Sequence, residues 1–129
     1  MKVNRSLPAL VIDDFNSVSS ITARVLKAIG FHRVDTAETG ASALEMAQRQ
    51  SYGLVISDLH MKPMGGLELL RRMKADGRTS SVPIIVLTGD PLASAAENAK
   101  QAGAFAVVTK PPTPGELRER LEKAIRLGA

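Results

Sequence analysis

The chain has 129 residues, of which 44% are hydrophobic and 23% charged, with a formal net charge of +4 and no cysteine. This length and balance fit one globular domain, and the lack of cysteine excludes disulfides and thiolate metal sites. No apolar stretch reaches the roughly 20 residues that a membrane span needs. The N-terminus shows no signal peptide, so we expect a cytoplasmic protein that does not enter a membrane.

The basic residues are interspersed with acidic ones. On the last predicted helix, for example, Arg118 and Arg120 alternate with Glu119 and Glu122. This pattern is typical of solvated helix faces and differs from the basic stripe of a nucleic-acid-binding protein. We therefore predict that the chain does not bind nucleic acid.

Apolar runs alternate with helical patterns five times along the chain. The runs predict buried strands at residues 7–12, 33–37, 53–58, 82–87 and 105–109. Helices fill the intervals and the C-terminal end. Short connections between a strand and the next helix favour right-handed crossovers, which place helices on both faces of one parallel sheet. The predicted class is α/β, in a single domain with no output domain after the fifth helix.

Helix ends and buried faces can also be predicted. Gly30 and Gly103 fit the positions that end the first and fourth helices, and Thr39 or Glu38 precedes the second. Residues 113–116 have the order of a capping box, with proline at the first helical position of the fifth helix. Apolar residues at helical spacing predict the buried faces of the first and fifth helices: Val18, Ile21, Val25 and Ile29, and Leu117, Leu121 and Ile125.

Polar side chains follow four of the strands at the point where each ends. Asp13 and Asp14 follow the first strand, Asp58 ends the third, Thr88 follows the fourth and Lys110 follows the fifth. In a parallel sheet these positions share one edge, so we expect the side chains to lie in one cleft. Neighbouring carboxylates need a cation at neutral pH, and hard oxygen ligands without cysteine or histidine suit Mg²⁺.

A carboxylate cluster with a hydroxyl and a lysine is equipped for phosphoryl chemistry. Mg²⁺ and Lys110 would neutralise phosphoryl oxygens, and Thr88 would donate a hydrogen bond to one of them. Asp58, the single acid at the central strand, is the best candidate for a nucleophile that forms an aspartyl phosphate. Asp13 and Asp14 then belong to the metal side. Each feature alone also fits a turn or a cap, and the joint occurrence carries the inference.

With these residues in place, the sequence resembles the receiver domain of two-component response regulators, most of all a stand-alone receiver of the CheY type. The motifs that carry the resemblance are VIDDF at 11–15, SDLHM at 57–61, LTG at 87–89 and TKP at 109–111. The resemblance covers about residues 7–127, and we predict a single receiver domain over residues 6–127. It implies a doubly wound (βα)5, flavodoxin-like three-layer sandwich with a five-stranded parallel sheet in the order 2-1-3-4-5.

The resemblance also implies residue roles in a magnesium-dependent site. Asp58 matches the phosphoacceptor, which is itself part of the metal site. Asp14 matches a direct Mg²⁺ ligand, while Asp13 acts through water or hydrogen bonding, and His60 gives its backbone carbonyl to the metal. Two further positions match residues that meet the phosphoryl group, the switch hydroxyl and the lysine: Thr88 and Lys110. Gly89 matches the small residue that leaves the site open.

The implied function is that of a signalling protein rather than an enzyme, although slow loss of its own phosphoryl group is expected. A histidine kinase or a histidine phosphotransfer protein would donate the phosphoryl group to Asp58. The modified domain would then bind a downstream protein through the face formed by the fourth helix, fifth strand and fifth helix. The alternative is a receiver fold that binds proteins independently of phosphorylation.

Three departures from the family pattern involve four positions. Val107 occupies the usual aromatic switch position, and Phe105, two residues earlier, is expected on the same side of the strand as core or rim. Lys62 stands where proline is usual. His60 and Asp90 occupy the positions that tune hydrolysis of the acyl phosphate.

Two enzyme-like or ligand-binding classes fit less well. An aspartyl phosphatase of the haloacid dehalogenase kind usually has a second acid two residues after its nucleophile, where this chain has His60 after Asp58. A flavodoxin-like nucleotide-binding protein would need a glycine-rich loop after the first strand, which is missing here.

Overall fold

Parallel strands and helices alternate along the chain. The computed structural model describes residues 3–13, 16–59, 64–89, 93–109 and 114–128. The strands are β1 (Ala9–Ile12), β2 (Val34–Ala37), β3 (Leu54–Asp58), β4 (Ile84–Thr88) and β5 (Ala106–Thr109). The helices are α1 (Asn16–Ile29), α2 (Gly40–Arg49), α3 (Gly66–Ala75), α4 (Ala93–Gln101) and α5 (Pro114–Gly128). Each element lies where the sequence predicts it, and the strand boundaries shift by one or two residues at most.

The sheet has five parallel strands in the order β2-β1-β3-β4-β5. One apolar core lies between the sheet and the pair α1 and α5, and a second core lies between the sheet and helices α2, α3 and α4. The predicted three-layer α/β architecture and strand order are therefore confirmed. Within the described residues, no helix is both long enough and apolar enough to cross a membrane.

The three central strands are buried along their whole length. All residues of β1, β3 and β4 are classed as buried, and Leu54, Val55 and Ile56 have no exposed surface. Burial on both faces explains why these strands are continuous apolar runs instead of alternating patterns. Because burial of each such side chain contributes about 1.5–3 kcal/mol, the strands form a rigid platform for whatever their ends carry.

Helix α1 faces the core with a register that differs from the predicted one. Ile21 is 38% exposed, whereas Thr22 and Leu26 are 1% and 0% exposed and Val25 is buried. The prediction for Ile21 is therefore wrong. Ile21 lies four residues before Val25, and Thr22 lies four residues before Leu26, so both residues fit helical spacing, but it is Thr22 that faces the core. The predicted face of α5 is confirmed, since its three apolar residues are all buried: Leu117, Leu121 and Ile125.

The predicted helix ends are also confirmed where they are described. The Thr39 hydroxyl caps α2 by accepting a hydrogen bond of 3.1 Å from the backbone N–H of Ser42. Gly30 and Gly103 follow α1 and α4 with φ angles of 129° and 105°, which side chains with a Cβ rarely adopt. Pro114 is the first residue of α5, and the predicted cap at Thr113 lies outside the described residues.

Exposed ion pairs cover the outer faces of several helices. Glu45 and Arg49 pair on α2, as Arg118 and Glu122 do on α5, each four residues apart. Such pairs stabilise a helix by only about 0.3–0.5 kcal/mol each. The mixed charges thus form solvated helix faces, as the sequence pattern indicates.

A buried phenol joins the edge strand β2 to the connection before β3. The Tyr52 hydroxyl donates a 2.6 Å hydrogen bond to Asp35 Oδ2, and Gln50 Nε2 donates to the same oxygen at 3.0 Å. Arg33 binds both oxygens of Asp35 at 2.9 Å. Tyr52 is only 3% exposed. The network holds the outermost strand in register at the end of the sheet away from Asp58.

We predict a strongly alkaline titration for this phenol. Burial, followed by the hydrogen bond to Asp35 and its charge, raises the pKa of Tyr52 from 10.0 to about 12. A raised folded-state pKa means that the contribution of the phenol to stability is complete below pH 10 and is lost as the pH rises towards 12. Tyr52 is the only tyrosine and the chain has no tryptophan, so tyrosinate absorbance reports this group alone. An Asp35→Asn variant should titrate at lower pH, and a native midpoint near 10 would contradict the prediction.

Candidate functional site

Three polar side chains meet at the carboxyl edge of the central strands. Ile12 in β1 is paired with Ser57 in β3, so Asp13 stands level with Asp58. Asp58 is in turn paired with Leu87 in β4, so Thr88 lies one residue further on. Asp13, Asp58 and Thr88 are each 3% exposed. The structure therefore brings together the three predicted site residues that it describes.

The backbone on either side of these residues continues the hydrogen bonding of the sheet. The Asp13 N–H donates to Ala37 O at 3.1 Å, and the Leu59 N–H donates to Leu87 O at 2.8 Å. Asp13 and Asp58 are therefore held by the rigid sheet rather than by a free loop. A site built on such elements keeps its side chains in a fixed geometry.

The start of α3 packs on the backbone of Asp58. The Gly66 N–H donates to Leu59 O at 2.9 Å, and a Cβ built on Gly66 would lie 2.3 Å from Asp58 O. The Ser57 hydroxyl donates to the same Asp58 oxygen at 3.0 Å. Sequence reasoning missed both supporting residues. The glycine pair at 65 and 66 was the available signal, because a glycine before a helix often marks a close backbone approach.

Several predicted residues lie outside the described ranges. These are Asp14, His60 and Lys110 of the site, together with Lys62 and Asp90. In the described part of the chain, no group of three histidine, cysteine or acidic residues is arranged to hold a metal. Gly89 is described and exposed, and a Cβ on it would meet no described atom within 4 Å.

The carboxylate groups that the structure describes at this edge are suitable ligands for a magnesium ion. Asp13 and Asp58 supply carboxylate oxygens, side by side and almost wholly buried. Two buried carboxylates at adjacent strand ends favour a cation near them, because like charges in a poorly solvated site repel. Mg²⁺ is usually held by one or two carboxylates and keeps several waters. The pair thus provides a suitable partial ligand set for this ion.

A second feature lies at the outer edge of the sheet, at Val107, the usual switch position of the family, and at Phe105. Val107 is half-buried and packs against the core on the α2–α3–α4 side, whereas Phe105 packs against the core on the α1–α5 side. The prediction that both lie on one side of the strand is wrong, because β5 begins at Ala106 and strand alternation does not extend to Phe105. The expectation that Phe105 packs as core or rim is confirmed.

A groove of about 410 Å³ runs along β5 between α4 and α5. Val107 and Phe105 contribute apolar surface to it, and Lys100 and Lys123 lie on its sides. Arg120 also lines the groove and donates from Nη1 to Thr109 O at 2.9 Å. The face is thus partly apolar and cationic.

Comparison with known proteins points to one family. The response regulator receiver domain matches residues 9–122. The chain is 30% identical to the chemotaxis protein CheY-3 of Vibrio cholerae over 121 residues, which cover 94% of this chain and 93% of that protein. Among solved structures it is similar to the chemotaxis response regulator CheY4 of Vibrio cholerae, with a TM-score of 0.82, 28% identity and coverage of 92% and 98%.

A further solved structure has an ion in its cleft. The receiver domain of the sensor histidine kinase PA1611 from Pseudomonas aeruginosa is 28% identical, with a TM-score of 0.78 and coverage of 93% of this chain and 98% of that one. That receiver has a magnesium ion coordinated in its active-site cleft. The match over most of the chain, the fold and the aligned strand ends lead to one conclusion: the chain belongs to the response regulator receiver domain family.

Proposed function

We propose that the protein accepts a phosphoryl group on Asp58 from a histidine kinase or a histidine phosphotransfer protein, in a reaction that depends on Mg²⁺. The observation that carries the proposal is the placement of Asp13, Asp58 and Thr88, all buried, at one edge of the central strands. Membership in the receiver family and similarity to CheY proteins support a role in two-component signalling.

Asp58 is the nucleophile in this proposal. One carboxylate oxygen attacks the phosphorus of a phosphohistidine, so a phosphorus–oxygen bond forms as the phosphorus–nitrogen bond breaks. The imidazole nitrogen of the donor keeps the electron pair and takes up a proton. The protein is left with an acyl phosphate on β3, and no separate substrate is turned over. In this sense the chain is a phosphoryl acceptor and not an enzyme.

Neighbouring residues position and neutralise the transferred group. When bound, Mg²⁺ would offset the negative charge of the phosphoryl oxygens. It would be held by the carboxylates of Asp14 and Asp58 and the backbone carbonyl of His60, with Asp13 acting through water or hydrogen bonding. Thr88 would donate its hydroxyl proton to a phosphoryl oxygen. Lys110, which follows β5 directly in the sequence, would place its ammonium group against a second phosphoryl oxygen.

The proposed readout is a change in protein binding at the face formed by α4, β5 and α5. A phosphoryl group that draws Thr88 towards it would change the preferred position of the connection between β4 and α4. A partner that binds one of the two conformations more tightly would then shift the population towards that conformation. The groove along β5 offers apolar surface and the cations Lys100 and Lys123 to such a partner. Val107 is too small to act as an aromatic gate, so Thr88 and the backbone would carry the switch.

Metal removal tests the proposed reaction. With acetyl phosphate and Mg²⁺, we expect the wild-type chain to gain one phosphoryl group, read by intact mass. With EDTA in excess, the rate of uptake should fall by about two orders of magnitude or more, because nothing then offsets the charge between the buried carboxylates and the phosphoryl oxygens. Readdition of Mg²⁺ should restore uptake.

A phosphorylated histidine phosphotransfer protein serves as the second donor in this test. Because it presents a phosphoimidazole instead of an acyl phosphate, it probes the proposed natural reaction directly. Lack of uptake from both donors, in a protein whose circular dichroism shows it to be folded, would overturn the proposal. Equal uptake with and without EDTA would overturn its metal dependence.

A further inference from the structure

A second groove lies between α1, α5 and the segment that precedes β1. Its volume is about 590 Å³, within the usual range of ligand pockets. Val3, Ile29 and Ile125, from three different parts of the chain, supply its apolar surface. We name this surface the α1–α5 groove. The end of the groove that carries Arg5 and Arg126 lies at the amino-terminal end of the strands, beside the segment before β1 and the last turns of α1 and α5. Arg118 and Glu122 extend the groove from there along α5.

The rim of the α1–α5 groove carries an excess of positive charge. Three arginines, Arg5, Arg118 and Arg126, line it with a single acid, Glu122. Arg118 Nε pairs with Glu122 Oε1 at 2.7 Å. Arg5 and Arg126 are exposed and form no ion pair with any residue that the structure describes. An occupant with negative charge would therefore meet two available guanidinium groups.

The wall that bears Arg5 is held in place. The Asn4 N–H donates to Gly53 O at 3.3 Å, and the Gly53 N–H donates to Pro8 O at 2.9 Å. A Cβ on Gly53 would lie 1.8 Å from Asn4 O, so only glycine lets the segment lie this close to the start of β3. The Arg5 side chain lies over Gly30, with Cδ at 3.4 Å from the position of a Cβ there. Preorganised groups lose less entropy when a ligand binds.

Two of the arginines have a structural role at helix ends, but that role does not explain the apolar surface of the groove. Arg126 lies in the last turn of α5, and Arg5 lies beside Gly30, just after α1. Cations there offset the negative ends of the helix dipoles. That role needs no apolar surface, yet Val3 and Ile29 remain only half-buried between the arginines. The groove therefore combines an apolar contact with an anion-binding rim.

Charge decides which occupant fits. A second copy of the chain would bring the same positive groove and a net charge of +4, so like charges oppose self-association through this surface. The N-terminal residues before Val3 include Lys2, so this segment of the chain would also bring positive charge to the groove. We propose that the α1–α5 groove docks an acidic segment of a partner protein, with one large apolar side chain on the groove floor and carboxylates against Arg5 and Arg126.

This inference goes beyond the phosphoryl reaction and does not depend on it. The four residues of β1, at about 3.3 Å each, separate the Arg5 end of the groove, which precedes β1, from Asp13 by roughly 13 Å. An occupant held at Arg5 and Arg126 therefore leaves the cleft at Asp58 open. A receiver with both surfaces occupied would be held at a partner while it exchanges its phosphoryl group.

Nuclear magnetic resonance can test the proposal with a defined probe. The probe is a capped peptide in which one leucine is flanked by two aspartates on each side, and it is titrated into the isotope-labelled chain. We expect shifts in the backbone amides of residues 3–5, 28–30 and 118–126. Peptides with alanine in place of leucine, or lysines in place of aspartates, should bind more weakly, because each lacks one of the two contacts.

Two double variants with the same change in net charge show which of the two grooves binds the acidic peptide. Arg5→Gln combined with Arg126→Gln should weaken binding by about fivefold to thirtyfold, as expected from the loss of two exposed charge contacts. Lys100→Gln combined with Lys123→Gln removes the same charge at the β5 groove and should leave binding within about twofold, since only screened long-range attraction changes. Asp58→Asn should bind the peptide as well as the wild type does, which separates this test from that of the phosphoryl reaction.

Three results would overturn the proposal. One is the absence of amide shifts with the acidic peptide. Another is a set of shifts centred on Lys100, Arg120 and Lys123, which would place acidic docking at the β5 groove instead. The third is an equal loss of affinity in the two double variants, which would indicate attraction to net charge alone.

Discussion

Asp58→Asn is expected to abolish phosphoryl uptake from acetyl phosphate. Asp58 is the last residue of β3, is 3% exposed and stands level with Asp13 at the edge of the sheet. An amide lacks the anionic oxygen that attacks phosphorus, so the rate should fall by at least about two orders of magnitude. Intact mass of the variant should show no added phosphoryl group under conditions in which the wild type gains one.

Asp76→Asn is the matched control for this variant. Asp76 follows α3 at the opposite end of the sheet, and its hydrogen bonds from the Arg78 side chain and backbone hold the pKa of its carboxyl at about 2. Its loss should leave uptake unchanged. In the wild type, hydroxylamine should remove the added group, as it does an acyl phosphate. Uptake by Asp58→Asn at the wild-type rate would place the acceptor on another residue.

Gly66→Ala is expected to lower both the stability of the protein and the rate of phosphoryl uptake. The new Cβ would lie 2.3 Å from Asp58 O and 2.9 Å from the Cα of Leu59, and both are backbone atoms that have no rotamer with which to move aside. The start of α3 would have to shift away from β3, which strains the 2.9 Å hydrogen bond from Gly66 to Leu59. Such overpacking costs about 1–3 kcal/mol in the free energy of unfolding.

The same shift would move the backbone that bears the phosphoacceptor. A displacement of about 1 Å at a reacting group can cost a hundredfold in rate, so we expect at least about a tenfold loss of uptake. Urea denaturation followed by circular dichroism measures the stability, and intact mass measures the uptake. Gly77→Ala is the control, because a Cβ there meets no atom of the described residues within 4 Å and its φ lies outside the region that favours glycine. Equal behaviour of the two variants would contradict the close-contact argument.

The central strands are the features that sequence patterns predict best. Leu54, Val55 and Ile56 form an unbroken apolar run because both faces of β3 are covered. Local signals were also sufficient at helix ends. Thr39 caps α2 and Gly30 ends α1 because cap hydrogen bonds and a positive φ depend on a few neighbouring residues only.

Sequence patterns led to wrong predictions where two placements of a side chain fitted the local pattern equally well. Ile21 and Thr22 both fit the helical spacing of α1, and the packing of Leu26 against the core decided that Thr22 faces inward. Phe105 was placed with Val107 by strand alternation, but β5 starts after Phe105 and its ring packs in the other layer. In each case the choice depends on contacts between residues that are distant in the sequence.

The class of fold, the order of its elements and the identity of the polar residues that end the strands can all be read from the sequence. These features follow from hydrophobic period and local backbone preference, which are properties of short segments. The sequence also placed Asp13, Asp58 and Thr88 at one edge, because parallel strands joined by helices must share that edge.

The groups that support the site and the surfaces that are available become visible only in the folded chain. The contact of Gly66 with Asp58, the network of Tyr52 and Asp35, and the groove between Arg5 and Arg126 each join segments that the chain brings together across the fold. Their geometry depends on how whole helices pack against the sheet. Packing is a collective property of side-chain volume and register, so no short stretch of sequence encodes it.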